Sequence, residues 1–413
     1  MKKQYIQLFS FLCFPLLTLA QTVNEGMLYV GEGTAFSTVE RFDNLSSGAF
    51  YNDGETFIYS HFNNDGVLDF YENTGVTNFM GTANQNVSGT QISYLYNVLF
   101  NNSSNLNPFH LSGEINISGT TDFYDGIVDN DNYGGQITFN TNGSHVNTSD
   151  NSHVDGSVNK FGDLEFTFPI GDGGYYRFAG ISAPGESSAL FDGKFYFENS
   201  NNLHSHVLKE VAIEEIDNAE YWIINKVNNN SENGLITLSW RDVTTPSSMI
   251  EAAQQDALTI VRWDETTNMW VDEGGVINTG DQTITTSANN YGVFTLGRLN
   301  SDLDLPCELI VYNYVTPNGD GKNDYFIIEQ SYTNCARNLN VQVYNRWGVK
   351  VFETDDYGEK GNVFNGHSSG RLTIKDSDVL PASTYYYIAN YQYGSEAENK
   401  SHKQAGFLYL SDN

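Results

Sequence analysis

Residues 50–71 read FYNDGETFIYSHFNNDGVLDFY. Phe50-Tyr51-Asn52-Asp53-Gly54 returns twelve residues later as Phe62-Asn63-Asn64-Asp65-Gly66, and Ile58-Tyr59 maps onto Phe70-Tyr71. Runs of alternating apolar and polar residues end in Asn/Asp/Gly clusters, which are turn formers. Short strands with tight corners predict a solenoid, in which each coil stacks its apolar face on the next. The pattern persists from residue 21 to about residue 162, where Ser144-His145-Val146 recurs as Ser152-His153-Val154. A right-handed parallel β-helix is the expected form. An irregular β-sandwich is the alternative, because the period drifts.

Working outward, helix signals are scarce and the whole chain reads as all-β. From residue 163 to 299 the runs lengthen, beginning LEFTFPIGDGGYYRFAGIS, and eight alternating segments predict a central β-sandwich. One helix is expected after Pro246, where Ser248 and Glu251 have capping-box spacing. Residues 300–306 form a polar linker ending in Pro306, and residues 307–413 form a last unit.

The 413-residue chain has a formal charge of −31. Such a polyanion repels nucleic acid and anionic lipid. Met1-Lys2-Lys3, an apolar stretch to Leu19 and Ala20 read as a secretory signal peptide at residues 1–20. No later segment is apolar and long enough to span a membrane. Losing the signal would remove Cys13 and leave Cys307 and Cys335, an even pair in an exported protein and hence an expected disulfide. That bond would contribute roughly 3–4 kcal/mol by constraining the unfolded chain.

The last unit carries its own series of motifs. Val315 to Phe326 reads VTPNGDGKNDYF, with Pro317, Asn318, Gly319, Asp320, Gly321, Asn323 and Asp324 at the turn. Tyr344 to Gly348 reads YNRWG, containing Asn345, Arg346, Trp347 and Gly348. NVFNG begins at Asn362 and Arg371 follows; LPASTYYY carries Tyr385, Tyr386 and Tyr387; AGFLYL carries Gly406. In this order the motifs resemble the gliding-motility-associated C-terminal domain, the type B sorting domain of the type IX secretion system. The resemblance covers about a quarter of the chain. It implies an Ig-like β-sandwich that engages the type IX translocon and sorting components. The cargo would pass through the periplasm of a Gram-negative bacterium to the outer surface or the medium. Ser383 stands where the family usually has glycine, and Ser411-Asp412-Asn413 stands where a basic residue is common.

Asn318, Asp320, Asn323 and Asp324 offer clustered oxygens to a calcium ion, yet the same residues build tight turns, and the EF-hand register fails at Thr316 and Ile327. No cofactor is required by any motif. Gly366-His367-Ser368-Ser369-Gly370 spells G-x-S-x-G without the strand-to-helix context of a nucleophile elbow. Asp122, Asp125, Asp129 and Asp131 cluster as turn carboxylates or as acid, base or calcium ligands. His204 and His206 alternate on one strand face, with no third metal ligand near. Trp263 and Trp270 flank a hairpin, where they would either cover the core or stack on a glycan.

These observations point to an exported protein that is not an enzyme, whose first two modules form an adhesive stalk for surface glycans or proteins. One alternative is a carbohydrate-active β-helix enzyme resembling polysaccharide lyases. Against it, residues 21–162 hold only Arg41 and Lys160 as basic residues, and a lyase needs a base beside its carboxylates. Another alternative is a structural component of a gliding or surface apparatus.

Overall fold

A computed structural model describes residues 21–228, 234–288, 290–300, 307–331, 335–369, 379–394 and 400–411. The expected signal peptide and most of the linker lie outside these residues. Strand accounts for 51% of the structure and helix for 3%, which fixes the all-β class.

The chain first winds through about six turns of β-solenoid. Three parallel sheets form its faces. One stacks Thr22–Asn24, Phe42–Asn44, Phe62–Asn64, Gln85–Gly89, Phe109–Leu111, Val128–Asp129, Val154–Asp155 and Ile170–Asp172. A second begins with Met27–Val30 and runs to Val158–Phe161, and a third runs from Ala35–Thr38 to Ser144–Val146. Phe42 therefore pairs with Phe62, twenty residues on, while Phe50 pairs with Leu68 on another face. The twelve-residue offset in the sequence is thus not the coil length. It compares two faces of one coil, each of which ends in an N-x-G-like corner.

Stacking of identical side chains holds the coils together. Phe79, Phe100 and Phe123 form a column of nearly parallel rings, with centroids 5.5 and 5.7 Å apart. Each buried ring contributes about 1.5–3 kcal/mol relative to exposure. At one corner the Asn24 amide donates to Asn44 Oδ1, and the Asn44 amide to Asn64 Oδ1, both at 2.8 Å. This ladder satisfies polar groups that the solenoid interior would otherwise leave unpaired. The corner glycines follow from the same close stacking. A Cβ on Gly66 would lie 2.3 Å from the Gly48 carbonyl oxygen, so only glycine admits the preceding coil.

The pairing changes from parallel to antiparallel face by face, after Val158–Phe161 in one sheet and after Ile170–Asp172 in another, but the core does not break. Val158–Phe161 pairs antiparallel with Leu190–Tyr196, and the same sheet continues through Tyr221–Lys226, Gly292–Leu299, Leu258–Asp264 and Met269–Gly274. A five-stranded sheet, from Phe166–Thr167 through Ala179–Ile181, Leu235–Ser239 and Thr283–Ser287 to Val276–Asn278, packs against it. One hydrophobic cluster runs from Val30 to Leu296. The sandwich therefore caps the end of the solenoid. The helix forms at Ser247–Gln254, but Pro246 occupies the N-cap position without a side-chain cap. Ser248 lies inside the helix and its hydroxyl donates to Glu215 Oε1, so the expected capping box is not made.

From residue 307 onward the described residues fold around a separate cluster that includes Val315, Phe326, Val341, Phe364 and Leu408. Leu309–Tyr312 pairs with Ile327–Gln330. The other sheet is ordered Tyr314–Val315, Lys400–Leu410, Ser383–Tyr393, Arg337–Tyr344 and Lys350–Thr354. Cys307 and Cys335 are joined, which ties the entry of this domain to the loop before Arg337.

Candidate functional site

The loop after Val315 is closed by its own amides. Asp324 accepts from the Gly319 N–H at 2.7 Å and from the Gly321 N–H at 2.8 Å, one on each carboxylate oxygen. Asn318 Oδ1 accepts from the Asp320 N–H, and Asp320 Oδ1 from the Lys322 N–H. Gly319, Gly321 and Asn323 have positive φ (78°, 80° and 52°), which explains the two glycines and the asparagine. Three of the four residues named for calcium thus spend side-chain oxygens on the turn itself. Among the described residues no group of three or more His, Cys, Asp or Glu side chains is placed to hold a metal.

The YNRWG turn is built the same way. Asn345 Oδ1 accepts from the Trp347 and Val349 N–H groups, at 3.0 and 2.9 Å. Gly348 has φ of 75°, and a Cβ there would lie 2.2 Å from Ser182 Cβ. Glycine is needed twice over, for the backbone and for close approach to the central sandwich. The Arg346 guanidinium lies 4.3 Å from the centre of the half-exposed Trp347 ring. Tyr385 and Tyr387 point into the domain core, whereas Tyr386 faces the sandwich beside Leu235, Tyr344 and Ile388. Gly406 sits opposite Tyr387, where a Cβ would come within 2.7 Å of the tyrosine ring.

An ion network reinforces this apolar dock. Lys403 Nζ donates to Glu273 Oε2 at 2.7 Å and to the Ser287 carbonyl at 2.6 Å. The other oxygen of Glu273 accepts from Arg262 Nε at 2.7 Å. Glu273 is fully buried, so a carboxylate of the sandwich is neutralised from both sides of the boundary.

Residues 309–410 match the family profile described as CHU_C Type IX secretion signal domain. The chain carries a type IX secretion signal domain. Interaction with the type IX secretion machinery and export to the cell surface or the medium follow from it. No curated protein matches the chain. Among the described residues no helix is long and apolar enough to cross a membrane. While docked, the signal domain keeps Ile310, Tyr312, Tyr314 and Tyr409 exposed. Part of the NVFNG-to-Arg371 motif lies outside the described residues.

Other sites named from the sequence separate sharply. Trp270 is fully buried and Trp263 is 6% exposed, with His204 stacked on Trp263 at 4.2 Å. Neither indole offers a free face to a sugar ring, so the hairpin serves packing. The His206 Nε2 meets the Ser200 hydroxyl at 2.8 Å, while His204 lies on the Trp263 ring, and burial pushes the His206 pKa down to about 4. Ser368 is buried and donates to the Val351 carbonyl. Asp122 accepts from the Asn147 amide, and Asp129 holds the Asn132 turn.

The sequence missed one cluster because it depends on the true coil register. Asp129 pairs with Asp155, twenty-six residues later, on the outer face of the first sheet. Asp172 and Asp131 lie close enough to act on Asp155, and Lys194 bridges to Asp131 over the Tyr196 ring. Burial, then the charges of Asp172, Asp129 and Asp131, push the Asp155 carboxyl up to about 7. An unfolded aspartate titrates near ~3.9. Below that pH both states hold the proton and the site carries no penalty. As pH rises through 7 the unfolded chain has already released its proton, and stability is lost. Asp155→Asn should therefore stabilise the protein by on the order of 1–2 kcal/mol near pH 8, allowing for water that reaches the carboxyl, and by nothing near pH 3.5. Urea midpoints of both proteins at the two pH values check this; an equal gain at both would contradict it.

Proposed function

We propose that residues 21–299 are a binding stalk, non-catalytic, which the type IX signal domain delivers to the cell surface or the medium. The observation that carries this reading is how the basic groups are spent. The Lys160 ammonium donates hydrogen bonds to the carbonyls of Asn140, Thr141 and Gly143. Arg177 is locked to Glu220, and Arg262 to Glu273. Arg41, the remaining base of the solenoid, pairs with Asp43. A uronate-cleaving site would need a base free beside its carboxylates, whereas a rigid β scaffold with polar outer rows suits adhesion. No cofactor is needed for that role.

Asp155 favours the enzymatic alternative, since a carboxyl titrating near neutrality suits a general acid. Incubating the purified chain with polyuronates and neutral glycans, while following both retention and product formation, separates the two readings. Retention without product is expected. Product that disappears in Asp155→Asn would replace the stalk with a glycosidase. Cells expressing the chain without residues 307–413 should retain it in the periplasm; unchanged surface delivery would contradict the export half of the proposal.

A further inference from the structure

A cleft of about 600 Å³ opens where the solenoid, the sandwich and the signal domain meet. That volume falls within the ~300–1,000 Å³ typical of small-molecule sites. Its floor is the outer face of the five-stranded sheet. There Thr167, Gly180, Thr237 and Thr285 lie in register across four adjacent strands, a row at roughly 4.8 Å spacing. The Thr237 and Thr285 hydroxyls are 2.8 Å apart. Phe166, Phe178 and, from the signal domain, Trp347 also line the cleft.

Gly180 is the informative residue. Its backbone is not left-handed, and a Cβ there would meet Thr237 at an ordinary 3.4 Å. The fold does not call for glycine at this point, and strands disfavour it. Its effect is to leave a flat gap in the hydroxyl row, in a cleft that Trp347 also lines. Charge in the cleft is nearly balanced. Arg346 and Glu165 both line it, while the Lys160 ammonium is saturated by three carbonyls and is not offered to a ligand. His145 also borders the cleft, but burial holds its pKa down and its Nε2 meets the Thr167 carbonyl.

We propose that this cleft binds a short neutral oligosaccharide, one sugar ring seated over Gly180 against Trp347 and the threonine hydroxyls directed at its polar edge. Aromatic surface beside a few fixed hydroxyl groups recognises a ring that is apolar on its faces and polar at its rim. Among the described residues of the cleft, Lys160 is saturated and Arg346 already lies on the Trp347 ring, so an acidic glycan would meet little unspent positive charge, with Glu165 opposing it. The proposal rests on reading the upstream modules as a binder, and it places part of the site on the signal domain. Ligand binding and docking of the signal domain are therefore thermodynamically linked.

The test uses the full-length secreted protein with cellotetraose, laminaritetraose, maltotetraose and tetragalacturonate as probes, followed by ligand-observed NMR and calorimetry. Saturable binding of at least one neutral tetrasaccharide is expected. Gly180→Val, which fills the gap, and Trp347→Ala, which removes an exposed ring, should each weaken it at least about tenfold while the unfolding transition stays in place. Absence of neutral binding, or tetragalacturonate binding best, overturns the proposal. Binding that both variants leave intact also overturns it, although the stalk reading would then survive with its site elsewhere. Cleavage of a probe would instead remove the stalk reading.

Discussion

Replacing Arg177 with methionine should lower the stability of the solenoid–sandwich body by about 3–5 kcal/mol, the usual cost of breaking a buried ion pair from one side. Arg177 is wholly inaccessible to solvent. Its guanidinium donates to both oxygens of Glu220, at 3.0 and 2.7 Å, and to the carbonyl and hydroxyl of Ser239. It also lies 5.1 Å from the Trp222 ring centre. Without it, Glu220 stays fully buried beside Asp217, whose own carboxyl is already raised by burial and by the Glu220 charge. Thr245 alone would then donate to Glu220 Oε1. Urea unfolding followed by far-UV circular dichroism, read on the upstream transition, measures the loss. The double variant Arg177→Met, Glu220→Met should recover most of it, because an apolar pair of similar volume carries no stranded charge. Equal losses in the single and double variants would show that shape, not charge, sets the cost.

What the sequence made legible, and what it hid, follows from the range of each interaction. The turns were readable because their chemistry is local: Asp324 caps amides three and five residues back, and Asn345 caps amides two and four residues ahead. Those two turns anchor the motif series that marks the signal domain. The solenoid was readable as a class, since Asn/Asp/Gly corners recur wherever a coil must pass close to its neighbour. Its period was not. Coil partners are twenty residues apart at Phe42 and Phe62, but twenty-six at Val128 and Val154, because corner loops vary in length. The aspartate cluster around Asp155 was lost with the period. The change of strand pairing is staggered, one sheet turning antiparallel after Val158–Phe161 and another only after Ile170–Asp172, and alternation alone cannot show that one apolar core continues across it. Trp263 and Trp270 illustrate the same limit, since a hairpin pattern does not say that His204 will lie on the indole.

Lys403 and Glu273 meet across 130 residues of sequence, and removal of their contact gives the second large expected effect. Lys403→Met should release the signal domain from its cargo while both cores remain folded. Truncating one member of a desolvated, hydrogen-bonded charge pair costs about 2–5 kcal/mol. Glu273 keeps Arg262, so the sandwich is not left with an unpaired charge, and the loss falls mainly on the boundary. The remaining dock is a small apolar cluster around Leu235, Tyr344 and Ile388. Covalent connection supplies an effective concentration in the millimolar range, roughly 4 kcal/mol short of a standard-state partner. Against that background, a loss of this size shifts the ratio of docked to undocked molecules by roughly 30-fold or more. Small-angle scattering should show a larger radius of gyration for the variant, and calorimetry should show the signal domain melting apart from the upstream body. In the wild type the network is buried, so added salt should leave the docked form dominant, because ions screen desolvated pairs poorly. If undocking governs how the machinery reads the signal domain, Lys403→Met will change the rate of export as well; Trp347→Ala, which leaves the ion network whole, provides the control for the exposed ring. An unchanged scattering profile with a single melting transition would show that the apolar cluster suffices to hold the domain and that the ion network adds little to the dock.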